Sequence, residues 1–382
     1  MRVIHVVAHP PFREGTGTAC YYNALALQSL GCEVQVYAPR LGDAGQTPLA
    51  VPYYHFMRSY LSIGNAYLTP AILSMPRADI VHLHYPFIFG DVLTVLRAHA
   101  LRIPLVLTYH NDLYGKGVRR VAFWLYNRTI APYILRQAHK IAIVSRDHAA
   151  SSFFGPTIFA RRQADLVEVG NGVDVETFNP NLAVENIRPR YGLNEDDFLL
   201  LFVSSLDASH SRKGLPLLLE VLATMPDPGL KLLIVGDGDR RREYEAQVSA
   251  LGLAERVFFA GRVSHVGGVM TAHYAAADVV AIPSLTPESF GLGLAQGMAM
   301  GKVVIGSDIP GVRTLLENGE CGLLIPPGDR QALVEAIRRL RADPALRQQL
   351  GEKGRARILA NYTWRHVGER LLTMYHQVLG DS

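Results

Sequence analysis

The stretch VVAIPSLTPESFGLGLAQGMAMGKVVIGS, residues 279–307, contains the unit of structure that the whole chain repeats. A short β-branched run ends in Pro-Ser, an apolar segment of helical length with several glycines follows, and a second β-branched run begins after Lys302. Two parallel strands need a crossover connection, which is usually a helix. The stretch therefore predicts one strand–helix–strand unit with buried strands.

The same alternation runs through both halves of the chain. The strand-like runs of the first half are VIHVVA, EVQVYA, IVHLH, LVLTYH and KIAIVS, and those of the second half are FLLLFVSS, KLLIVGD, RVFFAG, VVAIPS and KVVIGS. Segments of helical length separate them, which is typical of a parallel sheet covered by helices on both faces. We predict an α/β protein with two tandem, doubly wound, Rossmann-like domains and a cleft between them.

Length and composition suggest where these domains begin and end. A chain of 382 residues is long enough for two domains of roughly 100–200 residues each. We place the N-terminal domain at residues 1–180 and the C-terminal domain at residues 181–362, with the polar, proline-containing segment 179–197 as the hinge. The last helix, within residues 363–382, is expected to complete the N-terminal domain.

The composition argues against several classes of protein. No apolar run approaches the roughly 20 residues of a membrane-spanning helix, and the opening MRVIHVVAHPP suits a first strand better than a signal peptide. Cys20, Cys32 and Cys321 are odd in number and lack metal-site spacing, so we expect reduced thiols in a cytoplasmic protein. A net charge of +4 permits a nucleotide or a membrane surface as partner and argues against nucleic acid.

Ligands of open α/β sheets bind beyond the carboxyl ends of the strands, and three such positions carry candidate residues. Gly15 and Gly17 allow the loop after the first strand to approach a ligand closely, and His110 ends another strand. Arg212 and Lys213 precede a helix whose dipole they oppose unless an anion binds there. Each position also has a plain structural interpretation: a tight turn, a buried histidine and a solvated charge pair.

The segment PESFGLGLAQGMAMG, residues 287–301, combines several features at one strand end. Glu288 and Ser289 stand just before a helix, where the carboxylate is left for a hydroxyl group, and Gln296 follows two turns along that helix. Three consecutive backbone amides are expected to form the anion-binding first turn: those of Phe290, Gly291 and Leu292. An anion flanked by hydroxyl groups describes a nucleotide sugar.

Residues 283–301 resemble the signature of the retaining glycosyltransferases of family 4, which have the GT-B fold. In that signature a strand ending in Pro-Ser is followed by Glu, by Phe-Gly, by a second Glu eight residues after the first, and by Ala-Met-Ala and Gly. Further matching motifs extend over nearly the whole chain: GCEV, TYH, NGVD, KG, GDG, FFAGRV, AAAD and GLLIPPGD. Together these motifs are specific, although none of them is specific alone.

The resemblance implies a role for each matching position. His110 corresponds to the histidine that contacts the donor sugar near the reacting carbon, and Glu288 to the acidic residue that holds the sugar hydroxyls. Lys213 corresponds to the lysine that neutralises the leaving diphosphate. The backbone at Arg262 and Val263 is expected to hold the base, while the helix start and the glycine loop of the first domain contact the diphosphate.

The resemblance also implies the reaction. The expected activity is that of a retaining glycosyltransferase, which moves a hexosyl unit from a UDP- or GDP-sugar to a glycan, lipid-linked or small-molecule acceptor. Neither a metal nor a cofactor is expected beyond the nucleotide sugar itself. The alternative is a non-catalytic sugar-nucleotide-binding protein or a nucleotide-sugar 2-epimerase of the same fold, and retention of both His110 and Glu288 favours the transferase.

Two positions depart from the family pattern. Ser205 stands where the family has the arginine of a Gly-Arg-Leu triplet, so one phosphate contact is missing or is supplied by Arg212 or Arg13. Gln296 stands where the family has its second glutamate, and an amide can still hydrogen-bond ribose hydroxyls without carrying a charge. We interpret these as a matched change in which one positive and one negative charge are lost together near the phosphates.

The acceptor is expected to bind the N-terminal domain, as in other enzymes of this kind. That domain holds the basic and aromatic segment RRVAFWLYNRTIAPYILRQAHK, residues 119–140. Basic side chains combined with aromatic ones suit an anionic interface, which indicates a lipid-linked acceptor and peripheral contact at the inner face of the membrane. The alternative is a helix that packs on the sheet and merely exposes its charges.

Overall fold

A computed structural model describes residues 1–11, 15–40, 51–63, 66–113, 117–264 and 268–380. The chain divides into two units, of which unit 1 is Met1–Gly172 with Trp364–Ser382 and unit 2 is Val173–Thr363. Each unit has its own parallel sheet with helical crossovers, which confirms the predicted α/β class and the two tandem Rossmann-like domains.

Unit 1 is built on nine described strands. They are β1 Arg2–Val6, β2 Glu33–Pro39, β3 Tyr54–Met57, β4 Leu61–Ile63, β5 Ala66–Leu68, β6 Ile80–Tyr85, β7 Leu105–Tyr109, β8 Lys140–Ile143 and β9 Leu166–Glu168. Seven of these form a sheet in the order β3-β2-β1-β6-β7-β8-β9 with parallel pairing throughout, and β4 and β5 form an antiparallel pair. The helices are α1 Gly15–Ser29, α2 Gly90–Leu101, α3 Val118–Gln137 and α4 Arg146–Ser151.

Unit 2 repeats the pattern with six described strands. They are β10 Phe198–Val203, β11 Leu230–Val235, β12 Val257–Gly261, β13 Val279–Ile282, β14 Val303–Ser307 and β15 Leu323–Ile325. These strands are parallel and lie in the order β12-β11-β10-β13-β14-β15. The helices are α5 Leu215–Thr224, α6 Arg241–Ala250, α7 Val269–Ala276, α8 Leu292–Ala299, α9 Val312–Leu315, α10 Arg330–Ala342 and α11 Pro344–Asn361.

The last helix, α12 Trp364–Leu379, returns to unit 1. Its buried residues Leu371, Met374 and Tyr375 join a core with strand residues and with the inner face of α1. A Cβ added to Gly368 would lie 2.8 Å from the Ala26 side chain, so the two helices cross closely at that glycine. One face of the unit 1 sheet is therefore covered by the first and last helices of the chain.

The chain passes between the units at residues 172/173 and again at 363/364, compared with 180/181 and 362/363 from the sequence. Residues just after the first crossing already pack in unit 2, where the Phe178 ring contacts Tyr274 and the Thr271 hydroxyl donates to the carbonyl of Thr177. The polar segment 179–197 also belongs to unit 2, since Arg188 there pairs with Asp278 at 3.0 Å.

Two further expectations concern membrane crossing and cysteine. Within the described ranges, no helix combines the length and the apolar character that crossing a membrane requires. Cys20, Cys32 and Cys321 are free and buried.

Candidate active site

Two neighbouring strands of unit 2 bring the central residues of the site together. Strands β10 and β13 are adjacent and parallel, so the loops that follow them leave the same edge of the sheet. The amide of Leu285, after β13, donates to the carbonyl of Arg212 at 2.8 Å, which joins the two loops. Lys213 and Glu288 meet as a result.

Lys213 and Glu288 form an ion pair. The Lys213 ammonium donates to one carboxylate oxygen of Glu288 at 2.7 Å, and the hydroxyl of Ser284 donates to the other. The Glu288 side chain is only 9% exposed, whereas that of Lys213 is 29% exposed. The sequence predicts a free carboxylate at this position, but the structure shows one that is already oriented by two donors.

Two glycines allow the loops to lie this close. Gly214, with φ of +86°, precedes α5, and a Cβ there would lie 2.0 Å from the carbonyl oxygen of Pro283. Gly311, with φ of +84°, is equally restricted, because a Cβ there would lie 1.9 Å from the carbonyl oxygen of Glu288. Any other residue at either position would push away the loop that carries Glu288.

The helix after Glu288 begins later than the sequence predicts. Helix α8 starts at Leu292, and Gly291 caps it in the left-handed conformation with φ of 85°. Phe290 therefore lies before the helix, buried against the Tyr362 ring with centroids 5.3 Å apart, and Ser289 lies half-buried beside it. The prediction of a first turn at residues 290–292 is wrong in its position, because the left-handed glycine cannot belong to a right-handed helix.

Gln296 is buried in α8, and its side chain is already engaged. The Tyr274 hydroxyl donates to the side-chain oxygen of Gln296 at 2.9 Å and also lies 3.1 Å from the carbonyl of Gly293. The side-chain amide nitrogen of Gln296 is thus the group that remains for a ligand.

The other predicted donor contacts lie around this edge of unit 2. The exposed Ser205 donates to Asp207 at 2.6 Å, and Arg212 is exposed one residue before Lys213. Arg262 is exposed and Val263 half-buried immediately after β12. Arg13 lies outside the described residues.

In unit 1, the predicted glycine loop is only partly described. Gly15 is the exposed first residue of α1, and Gly17 is buried one half-turn further on. A Cβ on Gly17 would lie 2.2 Å from the carbonyl oxygen of Pro10, so this glycine permits close contact between α1 and Pro10, in the loop that follows β1.

His110 is the first residue after β7, and it is buried. Its Nε2 lies 3.0 Å from Nδ1 of His84, and burial lowers the pKa of His110 to about 4. The imidazole is therefore neutral at physiological pH. His110 belongs to unit 1, whereas Lys213 and Glu288 belong to unit 2.

Most of the basic and aromatic segment, residues 119–137, belongs to α3, and this helix is apolar on two faces. Ile134 and Leu135 are buried in the unit 1 core, whereas Val121, Trp124 and Leu125 are 66%, 52% and 54% exposed. A cavity of about 410 Å³ adjoins the helix, and basic and apolar side chains line it: Arg128, Arg136, Phe153, Phe154 and Ile158. The burial of Ile134 and Leu135 agrees with a helix that packs on the unit 1 sheet, and membrane contact of its exposed side stays a prediction.

Sequence reasoning missed three buried histidines behind His110. His5, His82 and His84 bring ring nitrogens within 4.8 Å of one another. Their signal is visible in the sequence, because His82 and His84 alternate with apolar residues inside a strand and so share one face.

Two family models match the chain, glycosyltransferase family 4 over residues 13–176 and glycosyl transferases group 1 over residues 183–357. A phosphatidyl-myo-inositol mannosyltransferase of Mycobacterium tuberculosis is 31% identical over 310 residues, which cover 80% of this chain and 75% of that protein. The chain belongs to the family 4, group 1 glycosyltransferases.

Two further comparisons extend over nearly the whole glycosyltransferase. A phosphatidyl-myo-inositol mannosyltransferase of Mycobacterium leprae is 29% identical over 381 residues, covering 93% of this chain and 91% of that protein. The crystal structure of Anabaena Alr3699/HepE in complex with UDP and glucose has a TM-score of 0.79 at 20% identity, covering 99% of this chain and 100% of that one.

These similarities confirm three sequence predictions. The glycosyltransferase has the GT-B fold, it belongs to the family that its motifs resemble, and it is an enzyme of the hexosyltransferase class. The alternative of a non-catalytic binder or an epimerase is not favoured, because the named relatives are transferases.

Proposed function

We propose that this glycosyltransferase moves a hexosyl unit from a UDP- or GDP-sugar to an acceptor, with retention of the anomeric configuration. The observation that carries the proposal is the Lys213–Glu288 ion pair at 2.7 Å, at the carboxyl ends of adjacent strands and before a helix. A nucleotide sugar presents a diphosphate beside sugar hydroxyls, which are the groups that these two side chains bind best.

When the donor binds, Lys213 and Glu288 exchange their contact with each other for contacts with the donor. The Lys213 ammonium turns from the carboxylate to the diphosphate and so keeps an anionic partner. The Ser284 hydroxyl keeps its bond to Glu288 and fixes the carboxylate, whose other oxygen then accepts a hydrogen bond from a sugar hydroxyl. Because Glu288 is 9% exposed, this bond forms in a site that contains little water.

Departure of the nucleoside diphosphate leaves positive charge on the sugar and adds negative charge to the leaving oxygen. Lys213 stabilises that oxygen, and the N–H groups at the start of α8 add the positive end of a helix dipole. The acceptor attacks from the face that the diphosphate leaves, and the leaving phosphate takes the acceptor's proton. His110 contacts the sugar near the reacting carbon, as the family resemblance implies.

We further propose that no metal and no cofactor takes part. The charge that a divalent cation would neutralise is met in this mechanism by Lys213, with Arg212 and the backbone N–H groups as further contacts. Arg262 and Val263 hold the base, Gly15 and Gly17 allow α1 to approach the diphosphate, and the amide of Gln296 contacts the ribose.

We propose a lipid-linked acceptor reached by peripheral contact with the cytoplasmic face of a membrane. Helix α3 supports this, since it exposes apolar side chains together with Arg120 and Arg128, and the Arg128 guanidinium lies 4.8 Å from the Trp124 ring centroid. Aromatic side chains with basic neighbours suit the interface of an anionic bilayer. The mycobacterial relatives are named as transferases acting on a phosphatidylinositol lipid, which points the same way.

The donor is identified by incubating the enzyme with a panel of UDP-, GDP- and ADP-sugars and measuring the release of nucleoside diphosphate. We expect slow hydrolysis of one donor, unchanged by EDTA and lost in Glu288→Ala. Loss of activity in EDTA with recovery in manganese would overturn the metal-free mechanism. Binding of a donor without release, or conversion to a 2-epimer, would overturn the transferase.

Membrane contact is tested by sedimentation with vesicles of phosphatidylcholine alone or mixed with phosphatidylglycerol. We expect binding to the anionic vesicles only, and a loss of binding in Trp124→Ser/Leu125→Ser. Leu182→Ser is the matched control, because Leu182 is 46% exposed in unit 2 and does not lie on α3. Equal binding of all three proteins would contradict a role for this helix.

A further inference from the structure

Polar side chains form a row inside the unit 1 sheet, behind His110. His5 on β1 lies beside His82 on β6, and His84 on β6 lies beside Thr108 on β7. Alternate residues of a strand share a face, so these side chains and His110 point to the same side of the sheet. Each histidine of the row is at most 4% exposed.

Hydrogen bonds run from His110 inward along this row. His110 Nε2 lies 3.0 Å from His84 Nδ1, and His84 Nε2 lies 2.9 Å from His5 Nδ1. His5 Nε2 lies 3.5 Å from the hydroxyl of Tyr375, which α12 supplies from the covering layer. The candidate catalytic histidine is thereby connected to the last helix of the chain.

A second branch begins at the same tyrosine. The Tyr375 hydroxyl lies 2.5 Å from His82 Nδ1, and His82 Nε2 lies 2.6 Å from the hydroxyl of Thr108. Tyr375 is fully buried and stands between the two branches.

The bonds of such a chain have one common direction. A neutral imidazole has one N–H donor and one acceptor nitrogen, so each ring that accepts on one side must donate on the other. The phenol has a single proton, and its nearer nitrogen is that of His82, at 2.5 Å against 3.5 Å for His5. Of the two possible directions, the shorter contact favours the one in which Tyr375 donates to His82 and accepts from Nε2–H of His5.

The remaining protons follow from this choice. His5 Nδ1 accepts from Nε2–H of His84, and His84 Nδ1 accepts from Nε2–H of His110. The nitrogen of His110 that remains for a ligand is then Nδ1, which carries a lone pair.

We propose that His84, His5 and Tyr375 are positioning residues that hold His110 in the Nε2–H tautomer, with Nδ1 as the acceptor for a hydroxyl group of the donor sugar. This deepens the proposed function and rests on it for the role of His110. The assignment of the tautomer itself depends only on the contacts within unit 1.

The chain stays neutral, which this assignment requires. Burial lowers the pKa of His5 to about 3 and that of His110 to about 4, and it lowers those of His82 and His84 well below the ordinary histidine value. Protonation of any ring would turn an acceptor nitrogen into a donor and break the common direction.

The ring geometry favours this chain over a metal site. Three histidine nitrogens within 4.8 Å of one another suggest zinc ligands. However, the His82 and His84 rings are stacked 4.8 Å apart at an angle of only 13°, so their in-plane lone pairs run side by side and do not converge. The contact of 2.9 Å between His5 and His84 is that of a hydrogen bond.

Nitrogen-15 NMR of the histidine-labelled enzyme reads the tautomers directly and needs no substrate. We expect His110 to show a protonated Nε2 and an unprotonated Nδ1 at pH 7. A protonated Nδ1 on His110 would overturn the proposal, as would stoichiometric zinc in the purified protein or cobalt(II) absorption bands that disappear in His84→Met.

Tyr375→Phe tests whether the direction is set from the far end of the chain. Without the phenol, Nε2–H of His5 has lost its acceptor, so we expect part of the His110 signal to move to the Nδ1–H tautomer. Met374→Leu, a volume-conserving change at the neighbouring buried residue of α12, should leave the signal unchanged. If Tyr375→Phe also leaves it unchanged, Tyr375 has only a packing role.

A matched pair at position 84 separates positioning from packing. The amide of glutamine can accept from His110 and donate to His5, whereas methionine cannot donate and its thioether is only a weak acceptor. We expect His84→Met to lower kcat about tenfold with little change in KM for the donor, and His84→Gln to retain most of the activity. Equal losses in both variants would contradict the positioning role. If the NMR result holds and no variant changes turnover, the tautomer stands and the proposed role of His110 falls.

Discussion

The two units place their polar side chains at different positions relative to the sheet. In unit 2 the strands on either side of the site are apolar along their length, and the charged pair Lys213–Glu288 lies in the loops beyond their ends. In unit 1 the row of polar side chains that includes His5 and His84 lies within the strands, and α12 covers it. A row of neutral, mutually hydrogen-bonded rings can be buried deeply, whereas an ion pair that must exchange partners has to stay at the edge.

The largest expected effect tests the neutrality of the unit 1 row. The folded pKa values of about 3 for His5 and about 4 for His110 lie below the unfolded value of 6.5. Between pH 6.5 and about 4 the unfolded chain therefore binds protons that the folded unit does not, and stability is lost as the pH falls. From these two histidines alone we expect a loss on the order of 3 kcal/mol between pH 6.5 and 5.

Urea unfolding followed by tryptophan fluorescence measures this loss in unit 1, because both tryptophans, Trp124 and Trp364, belong to that unit. His84→Gln should flatten the dependence of unit 1 stability on pH, since an amide takes up no proton.

Asp91 acts in the opposite direction: burial raises its pKa to about 8, so the folded unit holds a proton that the unfolded chain releases. Asp91→Asn should therefore steepen the loss. A constant urea midpoint from pH 6.5 to 5 in Asp91→Asn, where this opposing contribution is absent, would refute the comparison.

Glu288→Ala tests the charged site of unit 2. We expect turnover to fall on the order of a hundredfold or more, about 2.7 kcal/mol in the barrier, because the sugar hydroxyl loses its acceptor in the transition state. Binding of the free nucleoside diphosphate should stay the same or tighten, since Lys213 no longer has a competing partner. Asp308→Ala is the control, because this carboxylate follows β14 and pairs with Arg313 but is 46% exposed. Unchanged turnover in Glu288→Ala would remove that residue from the site.

Lys213→Ala should weaken nucleoside diphosphate binding and turnover together, by about 2 kcal/mol, because a partly buried cation is lost. Isothermal titration calorimetry with UDP and GDP measures the first effect. Lys231→Ala, which changes a half-buried lysine on β11 that donates to the carbonyl of Glu255, should have no effect. If nucleotide affinity survives in Lys213→Ala, the diphosphate is held elsewhere.

The smallest expected effect concerns the matched change at positions 205 and 296. Gln296→Glu adds a buried charge near the phosphates and should weaken donor binding by roughly 1 kcal/mol. Ser205→Arg in the same chain should restore it, because the arginine supplies the missing positive charge. A double-mutant cycle measures the coupling. Simple additivity, or tighter binding by Gln296→Glu alone, would show that the two positions are independent.

The repeating strands and the placement of Lys213 and Glu288 at one edge of the sheet follow from the sequence, since parallel strands place their carboxyl ends together, whereas the ion pair between them does not. The sequence does not predict the three-residue strands β9 and β15, each of which lies at one edge of its own sheet, because such a short edge strand needs little apolar sequence. The start of α8 was misplaced for another reason. Only the packing around Gly291 decides whether that glycine continues a helix or caps it.

The residues that the sequence alone did not connect are those joined across long separations. His82 and Tyr375 lie 293 residues apart and yet share a hydrogen bond, which depends on α12 returning to unit 1. The Tyr274–Gln296 bond depends in the same way on the packing of two helices. A one-dimensional pattern shows that a side chain is buried, but not which partner will satisfy it.

The return of α12 to unit 1 has a consequence for biosynthesis. A chain leaves the ribosome from its N-terminus, so residues 1–172 emerge long before the helix that covers one face of their sheet. Unit 2, which is continuous from Val173 to Thr363, has all of its residues before α12 is translated. Unit 2 is thus the first unit whose core can be completed. Until the sixteen-residue helix α12 is translated, the nascent unit 1 exposes an apolar sheet face together with the histidines that this helix later buries.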